Sequence, residues 1–153
     1  MSATPIIRRM IPDDLDQVLE IQGQLQFQSW KREHFISEIN EAFFGVPLVA
    51  QFDIIVGYAV LKIAADEAEL CSIAVCSKYQ GQGIARQLLD IASERLVEHQ
   101  VSKIFLEVRK GNLRAQKLYL DYGFIENGVR RRYYPDGEDA VVMVKDLGCL
   151  ERC

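Results

Sequence analysis

The chain has 153 residues, 49% hydrophobic and 26% charged, with a net charge of −4. That length and balance describe a single domain, residues 1–153, with enough apolar material for a core, and leave no stretch that reads as a disordered tail or low-complexity tract. The acidic balance argues against nucleic acid as a direct partner.

The longest apolar run, Ile54 to Leu61 with one glycine, falls far short of the about 20 residues of a membrane-spanning helix. Arg8 and Arg9 have no apolar stretch behind them, so no secretory signal is read and a cytoplasmic protein without a membrane partner is expected. Cys71, Cys76, Cys149 and Cys153 form no Cys-x-x-Cys pair, and His34 and His99 lie far apart. Reduced thiols and no metal site are expected.

In chain order, Ile6 to Met10 reads as a strand. Pro12 and Asp13 open a helix with acidic residues Asp14 and Asp16 in its first turn and Leu15, Val18, Leu19 and Gln22 at helical spacing. A second helix is predicted over Lys31 to Asn40, with Phe35, Ile36 and Ile39 on one face. Pro47–Phe52 and Ile54–Ala65 read as a hairpin turned at Asp53, followed by a third strand, Ala68 to Val75. The period then changes: Ile84, Leu88, Ile91, Ala92 and Leu96 make one stripe of a long helix ending near His99. Lys103 to Val108 is a strand, and Asn112 is the expected N-cap of a helix that Gly123 stops. Phe124–Tyr134 and Ala140–Lys145 close the chain as a hairpin around Pro135-Asp136-Gly137. The predicted class is α+β, a mixed sheet flanked by helices.

Tyr79-Gln80-Gly81-Gln82-Gly83-Ile84-Ala85-Arg86 joins a strand to the long helix. A helix start carries unpartnered N–H groups and partial positive charge, and small residues let a phosphate approach the backbone. The loop therefore suits a phosphate-bearing cofactor. A dinucleotide fingerprint is not met, because Arg86 stands where a third small residue belongs. A plain turn is the other reading.

Glu107 interrupts an apolar strand, Ile104-Phe105-Leu106-Glu107-Val108, on the face of Phe105. A carboxylate there is either solvated, ion-paired with Arg109 on the same face, or functional. Tyr119 shares a helical stripe with Ala115 and Tyr122, as a core aromatic would. Arg130-Arg131-Arg132-Tyr133-Tyr134 is either a solvated strand face or part of a site. Its arginines suit a 3′-phosphate, an acidic peptide or nucleic acid, and its aromatic walls suit an extended peptide.

Gln80-x-x-Gly83-x-Ala85 resembles the signature of the GNAT acetyltransferase superfamily, and the predicted order of elements is similar to that fold. Leu106-Glu107-Val108-Arg109, Asn112, Ala115, Leu118-Tyr119, Gly123-Phe124, Arg130-Arg131-x-Tyr133-Tyr134-Pro135 and Glu138-Asp139-Ala140 together resemble the RimI-type ribosomal-protein alanine N-acetyltransferases. The resemblance covers nearly the whole chain. It implies acetyl-coenzyme A as co-substrate, with its pyrophosphate on the amides of Gln80, Gly81, Gln82, Gly83, Ile84 and Ala85. It also implies that the pantetheine arm lies along Ile73, Ala74 and Val75, and that Asn112 helps to hold the cofactor.

Acetyl transfer to an amine requires that the amine lose a proton and the departing thiolate gain one. The resemblance assigns Glu107 as general base and Tyr119 as general acid. A phenol of pKa about 10 is protonated at neutral pH and can donate to a thiolate of pKa about 8.5. An α-amine of pKa about 8 is about one-tenth free base at pH 7, far more than a lysine, which favours a protein N-terminus, that of a ribosomal protein being implied by the resemblance. A small-molecule amine, a lysine side chain, and a non-catalytic module that binds coenzyme A stay open as alternatives. The family commonly has Pro-Trp where this chain reads Ser29-Trp30, on the substrate-side helices.

Overall fold

The structure is a computed structural model in which residues 3–25, 30–41 and 43–148 are described. Strand β1 (Ile6–Arg9) leads through a 3-10 turn, Pro12–Asp14, into α1 (Leu15–Gly23) and α2 (Arg32–Ile39). Three strands follow, β2 (Gly45–Gln51), β3 (Ile55–Ala64) and β4 (Glu67–Val75). A second 3-10 turn, Ser77–Tyr79, precedes α3 (Ile84–Glu98). β5 (Lys103–Arg109), α4 (Leu113–Tyr122), β6 (Ile125–Arg130) and β7 (Ala140–Asp146) complete the order. The strands form one sheet in the order β1-β2-β3-β4-β5-β7-β6, antiparallel except for β4 and β5.

Helices cover both faces of the sheet. On one side Leu88, Leu89, Ala92 and Leu96 of α3 and Tyr119 of α4 pack on Leu48, Ala59, Leu61, Ile104 and Leu106. On the other, Leu15, Val18 and Ile21 of α1 and Phe35 of α2 pack on Val49, Tyr58 and Val60. β3 is therefore buried on both sides, which explains why Ile54–Leu61 reads as one apolar run rather than an alternation. Each fully buried Leu or Val side chain contributes about 1.5–3 kcal/mol. Gly57 of β3 permits the closest approach, since a Cβ there would stand 3.1 Å from the Ala74 carbonyl and 3.4 Å from Ile84 Cγ2. That contact seats the start of α3 against the middle of the sheet.

The first helix starts later than its sequence suggests. Pro12–Asp14 forms the 3-10 turn because the Asp14 carboxylate turns back, accepting from the Ile11 N–H (2.8 Å) and from both Arg8 Nη atoms (2.8 and 2.9 Å). The closing hairpin differs more. β6 ends at Arg130, and residues 131–139 form a loop instead of a strand reaching Tyr134. Arg132 takes a left-handed φ of 51°, its N–H donates to Asp139 Oδ1 (2.9 Å), and the Tyr134 N–H donates to the Glu138 carbonyl. These local partners replace the strand ladder, so the three arginines do not form a strand face.

The β4–β5 pairing positions everything that follows. The parallel ladder holds only Glu67↔Lys103, Ala68↔Ile104 and Glu69↔Phe105. Beyond it, Leu70–Val75 pairs only with β3 and Leu106–Arg109 only with β7. Cys71 is an extra residue in β4, between Leu70 opposite Leu61 and Ser72 opposite Val60. A bulge bends its strand, and β4 and β5 diverge toward their C-terminal ends.

Candidate active site

The cleft between β4 and β5 has the α3 N-terminus at one end. Gly81 and Gly83 have φ of 82° and 84°, in the left-handed region where glycine is least strained. No side chain caps α3. A Cβ at either glycine would meet nothing within 4 Å, so the loop faces open space with its amides free to meet an anion. The residues present fit the phosphates of coenzyme A. The Gln80 side chain itself is turned away, its Nε2 donating to the Val75 carbonyl (3.0 Å), which ties the loop to the end of β4. Ile73, Ala74 and Val75 lie opposite Ala59, Tyr58 and Gly57 of β3, so their pairing is on the edge away from the cleft.

Glu107 lies on β5 past the last position paired with β4, on the sheet face that α1 and α2 share. Ile104, Leu106 and Val108 take the opposite face, packed under α3 and α4. Its expected partner Arg109 is engaged elsewhere, with Asp136 (2.9 Å) and Glu138 (3.0 Å), and lies over the Tyr134 ring at 4.1 Å. Arg109 is reached first by residues of the 131–139 loop because that loop folds back over β5, with Glu138 Oε2 also accepting from the Gly111 N–H (2.7 Å). The ion pair of Glu107 is instead with Arg130 at the end of β6, Nε to Oε2 at 2.5 Å.

The same loop delivers two tyrosines. The Tyr133 hydroxyl hydrogen-bonds to Glu107, and that bond, with burial, pushes its pKa up to about 12. Tyr134, raised by burial and by the charge of Glu107, lies close enough to influence Tyr119. Tyr119 is buried against Phe124, ring centroids 5.7 Å apart, and burial drives its pKa far above that of a free phenol. The Asn112 side chain accepts from the Ala115 N–H (3.2 Å), capping α4 as its position suggested. A group on the far side of the cleft was not legible in the sequence: Glu69 of β4, whose pKa is raised by burial and by the neighbouring Glu107. Only the parallel register brings the two carboxylates to one face, and nothing in either strand's own residues signals it.

Along this face runs a groove of about 380 Å³ lined by Lys62, Glu69, Phe105, Glu107, Arg130 and Val142 among others. A larger, shallower depression of about 540 Å³ between the end of α3 and β7 contains neither Glu107 nor Tyr119. The groove, being next to the carboxylates and the cleft, is the better candidate for an acceptor site. Among the described residues no helix is long and apolar enough to cross a membrane. Cys71 and Cys76 are free thiols, and Cys149 and Cys153 lie outside the described residues. Ser29 is likewise outside them. Trp30 is held by Gln22, whose Oε1 accepts from the Trp30 N–H (2.9 Å).

Residues 15–124 match the family model described as "Acetyltransferase (GNAT) family". A protein of Bacillus subtilis named as a candidate [ribosomal protein bS18]-alanine N-acetyltransferase is 34% identical over 145 residues, 94% of this chain and 96% of that one. The Escherichia coli [ribosomal protein bS18]-alanine N-acetyltransferase is 36% identical over 133 residues, 85% of this chain and 89% of that one. The crystal structure of the ribosomal-protein-S18-alanine N-acetyltransferase from Escherichia coli superposes with a TM-score of 0.83 at 32% identity, covering 93% of each chain. The splayed strands, the uncapped helix start and these relatives agree, and the chain belongs to the GNAT family as an acetyl-CoA-dependent N-acetyltransferase similar to the ribosomal-protein alanine N-acetyltransferases.

Proposed function

We propose that the enzyme acetylates a protein N-terminus, an N-terminal alanine of a ribosomal protein, in the cytoplasm. The relatives' activity on ribosomal protein bS18 suggests this acceptor. The observation that carries the mechanism is the end of the β4–β5 ladder after Glu69↔Phe105. It leaves a cleft with the carboxylates of Glu69 and Glu107 on one face and the α3 N-terminus at one end, which supports the reading of Glu107 as base, with the buried Tyr119 phenol read as the acid.

Acetyl-CoA supplies a thioester whose carbonyl carbon accepts the amine. The amides of Gln80–Ala85 bind its pyrophosphate. The free backbone edge of Ile73, Ala74 and Val75 holds the pantetheine arm in line. The amide NH2 of Asn112, whose oxygen caps α4, donates to the cofactor. The acceptor ammonium loses one proton to solvent before attack, and Glu107 removes the second from the amine as the C–N bond forms. Tyr119 gives a proton to the sulfur as the C–S bond breaks. The thiol and the amide leave neutral, and the two side chains exchange their protons with solvent. Burial keeps Tyr119 protonated well beyond neutral pH, the state a general acid needs.

The test follows release of coenzyme A thiol with a peptide beginning with alanine, beside the same peptide N-terminally blocked but carrying lysine. Release with the free N-terminus alone is expected. Release with the blocked peptide replaces this reading with lysine acetylation, and silence with both replaces it with a small amine or a binding role.

A further inference from the structure

Arg130 occupies the place that the substrate amine has to reach. Its guanidinium Nε lies 2.5 Å from Glu107 Oε2. An arginine never gives up its proton at ordinary pH, so a carboxylate paired with it cannot pass that site to an amine without first losing the partner. The acceptor arrives mostly as an ammonium, since an α-amine has a pKa of about 8. Two cations thus compete for one carboxylate.

A second carboxylate stands ready in the same groove. Glu69 and Arg130 both line it, and the two are within electrostatic reach of each other. The other groove cation, Lys62, is held by Glu38 (3.4 Å). Among the described residues Glu69 has no ion pair. Arg130 itself is the last residue of the edge strand β6, where the chain enters the 131–139 loop, with a side chain 61% exposed, and the Tyr133 ring, 5.8 Å from its guanidinium carbon, offers a surface to slide over.

Resting on the reading of Glu107 as base, we propose that Arg130 is a positioning residue that holds Glu107 in the free enzyme and moves to Glu69 when the acceptor ammonium takes its place. Groove charge is then conserved through the exchange. Glu107, whose side chain is 17% exposed, keeps a cation beside it in both states, so its carboxylate is never left without a counter-ion, a state that costs more than an exposed pair gains. The acceptor binds only the fraction of enzyme in which Glu107 is released, so its apparent affinity is lowered by that fraction.

A double-mutant cycle on peptide kinetics tests this. Arg130→Gln removes the competing cation, and the KM of the acceptor peptide falls about fivefold with kcat within about twofold, the scale of one partly exposed ion pair. Arg130→Lys, which keeps the charge, restores most of the wild-type KM. Glu69→Gln removes the second dock, and KM rises about threefold with kcat unchanged at saturation. In the Arg130→Gln background, Glu69→Gln has no further effect, because no guanidinium is left to move. Equal effects of Glu69→Gln in both backgrounds overturn the exchange and make Glu69 a direct contact of the peptide. A fall in kcat with Arg130→Gln overturns it by placing Arg130 in the chemistry. A Glu107→Gln variant of full activity removes the base and the exchange together, whereas additive KM effects with Glu107 still essential remove the exchange alone.

Discussion

At the residue scale, the proposed chemistry rests on two groups held in opposite environments. Glu107 sits among polar partners, Arg130 and the Tyr133 hydroxyl, and Tyr119 is enclosed in the core. Glu107→Gln and Tyr119→Phe are each expected to lower kcat at least about tenfold while acetyl-CoA still binds. Stopped turnover with intact calorimetric binding confirms the roles, and unchanged turnover in either variant removes that residue from the mechanism. The tyrosines give a second test. Tyr58 and Tyr122 are pushed up to about 12 by burial, and Tyr133 by its bond to Glu107. A phenol whose folded pKa exceeds its unfolded value near 10 contributes full stability below pH 10 and loses it as pH rises toward 12. The urea midpoint should therefore hold to about pH 10 and decline above it, with little phenolate absorbance before unfolding. Ionisation of these phenols near pH 10 in a still-folded protein contradicts the burial argument.

At the element scale, α3 presents its N-terminus to the cleft because two glycines turn the chain and Gly57 lets the helix settle onto β3. Gly83→Ala is expected to cost about 1 kcal/mol, because the left-handed φ of 84° opposes a Cβ even where space is open. The added methyl points into the room a phosphate would use. Affinity for coenzyme A should fall several-fold more than the stability loss accounts for, while desulfo-coenzyme A and the full cofactor weaken alike, since the loop contacts phosphate and not sulfur. Unchanged affinity would place the pyrophosphate elsewhere. α4 is set by Asn112, whose loss as N-cap in Asn112→Ala costs about 1 kcal/mol.

At the scale of the whole molecule, the first strand and the first helix are joined by one partly buried ion pair, Asp14 with Arg8 (2.8 Å), the aspartate side chain 7% exposed. Burial alone would raise the Asp14 pKa, but the bonds from Arg8 and the Ile11 amide outweigh it and hold the carboxyl below the usual range. Asp14→Ala is expected to cost about 3 kcal/mol at neutral pH, since it leaves Arg8 and the Ile11 N–H unanswered. A group with a depressed folded pKa stabilises above its unfolded value near 3.9 and loses that contribution as pH falls through the folded value. The difference in melting temperature between wild type and Asp14→Ala should therefore close in acid. A constant difference down to pH 2 would show that the carboxylate charge is not what matters.

The periodic signals in the chain were enough for the α+β class, the order of elements and the long helix after Gly83, because apolar spacing, glycine turns and an Asn cap are local properties. They also marked Glu107 as a carboxylate out of place in an apolar strand. Other features came only from the tertiary structure. Arg130, 23 positions from Glu107, replaced Arg109 as its partner because β6 and β5 both pair with β7 and the loop after β6 captures Arg109. The closing strand stopped short of Tyr134 because Asp139 and Glu138 hold the 131–139 loop by contacts that no alternation pattern encodes. Glu69 joined the site only through the three-residue parallel register of β4 with β5. A sequence carries its short-range spacing openly, but which strands lie side by side, and where their pairing ends, is decided by how two helical layers pack on one sheet.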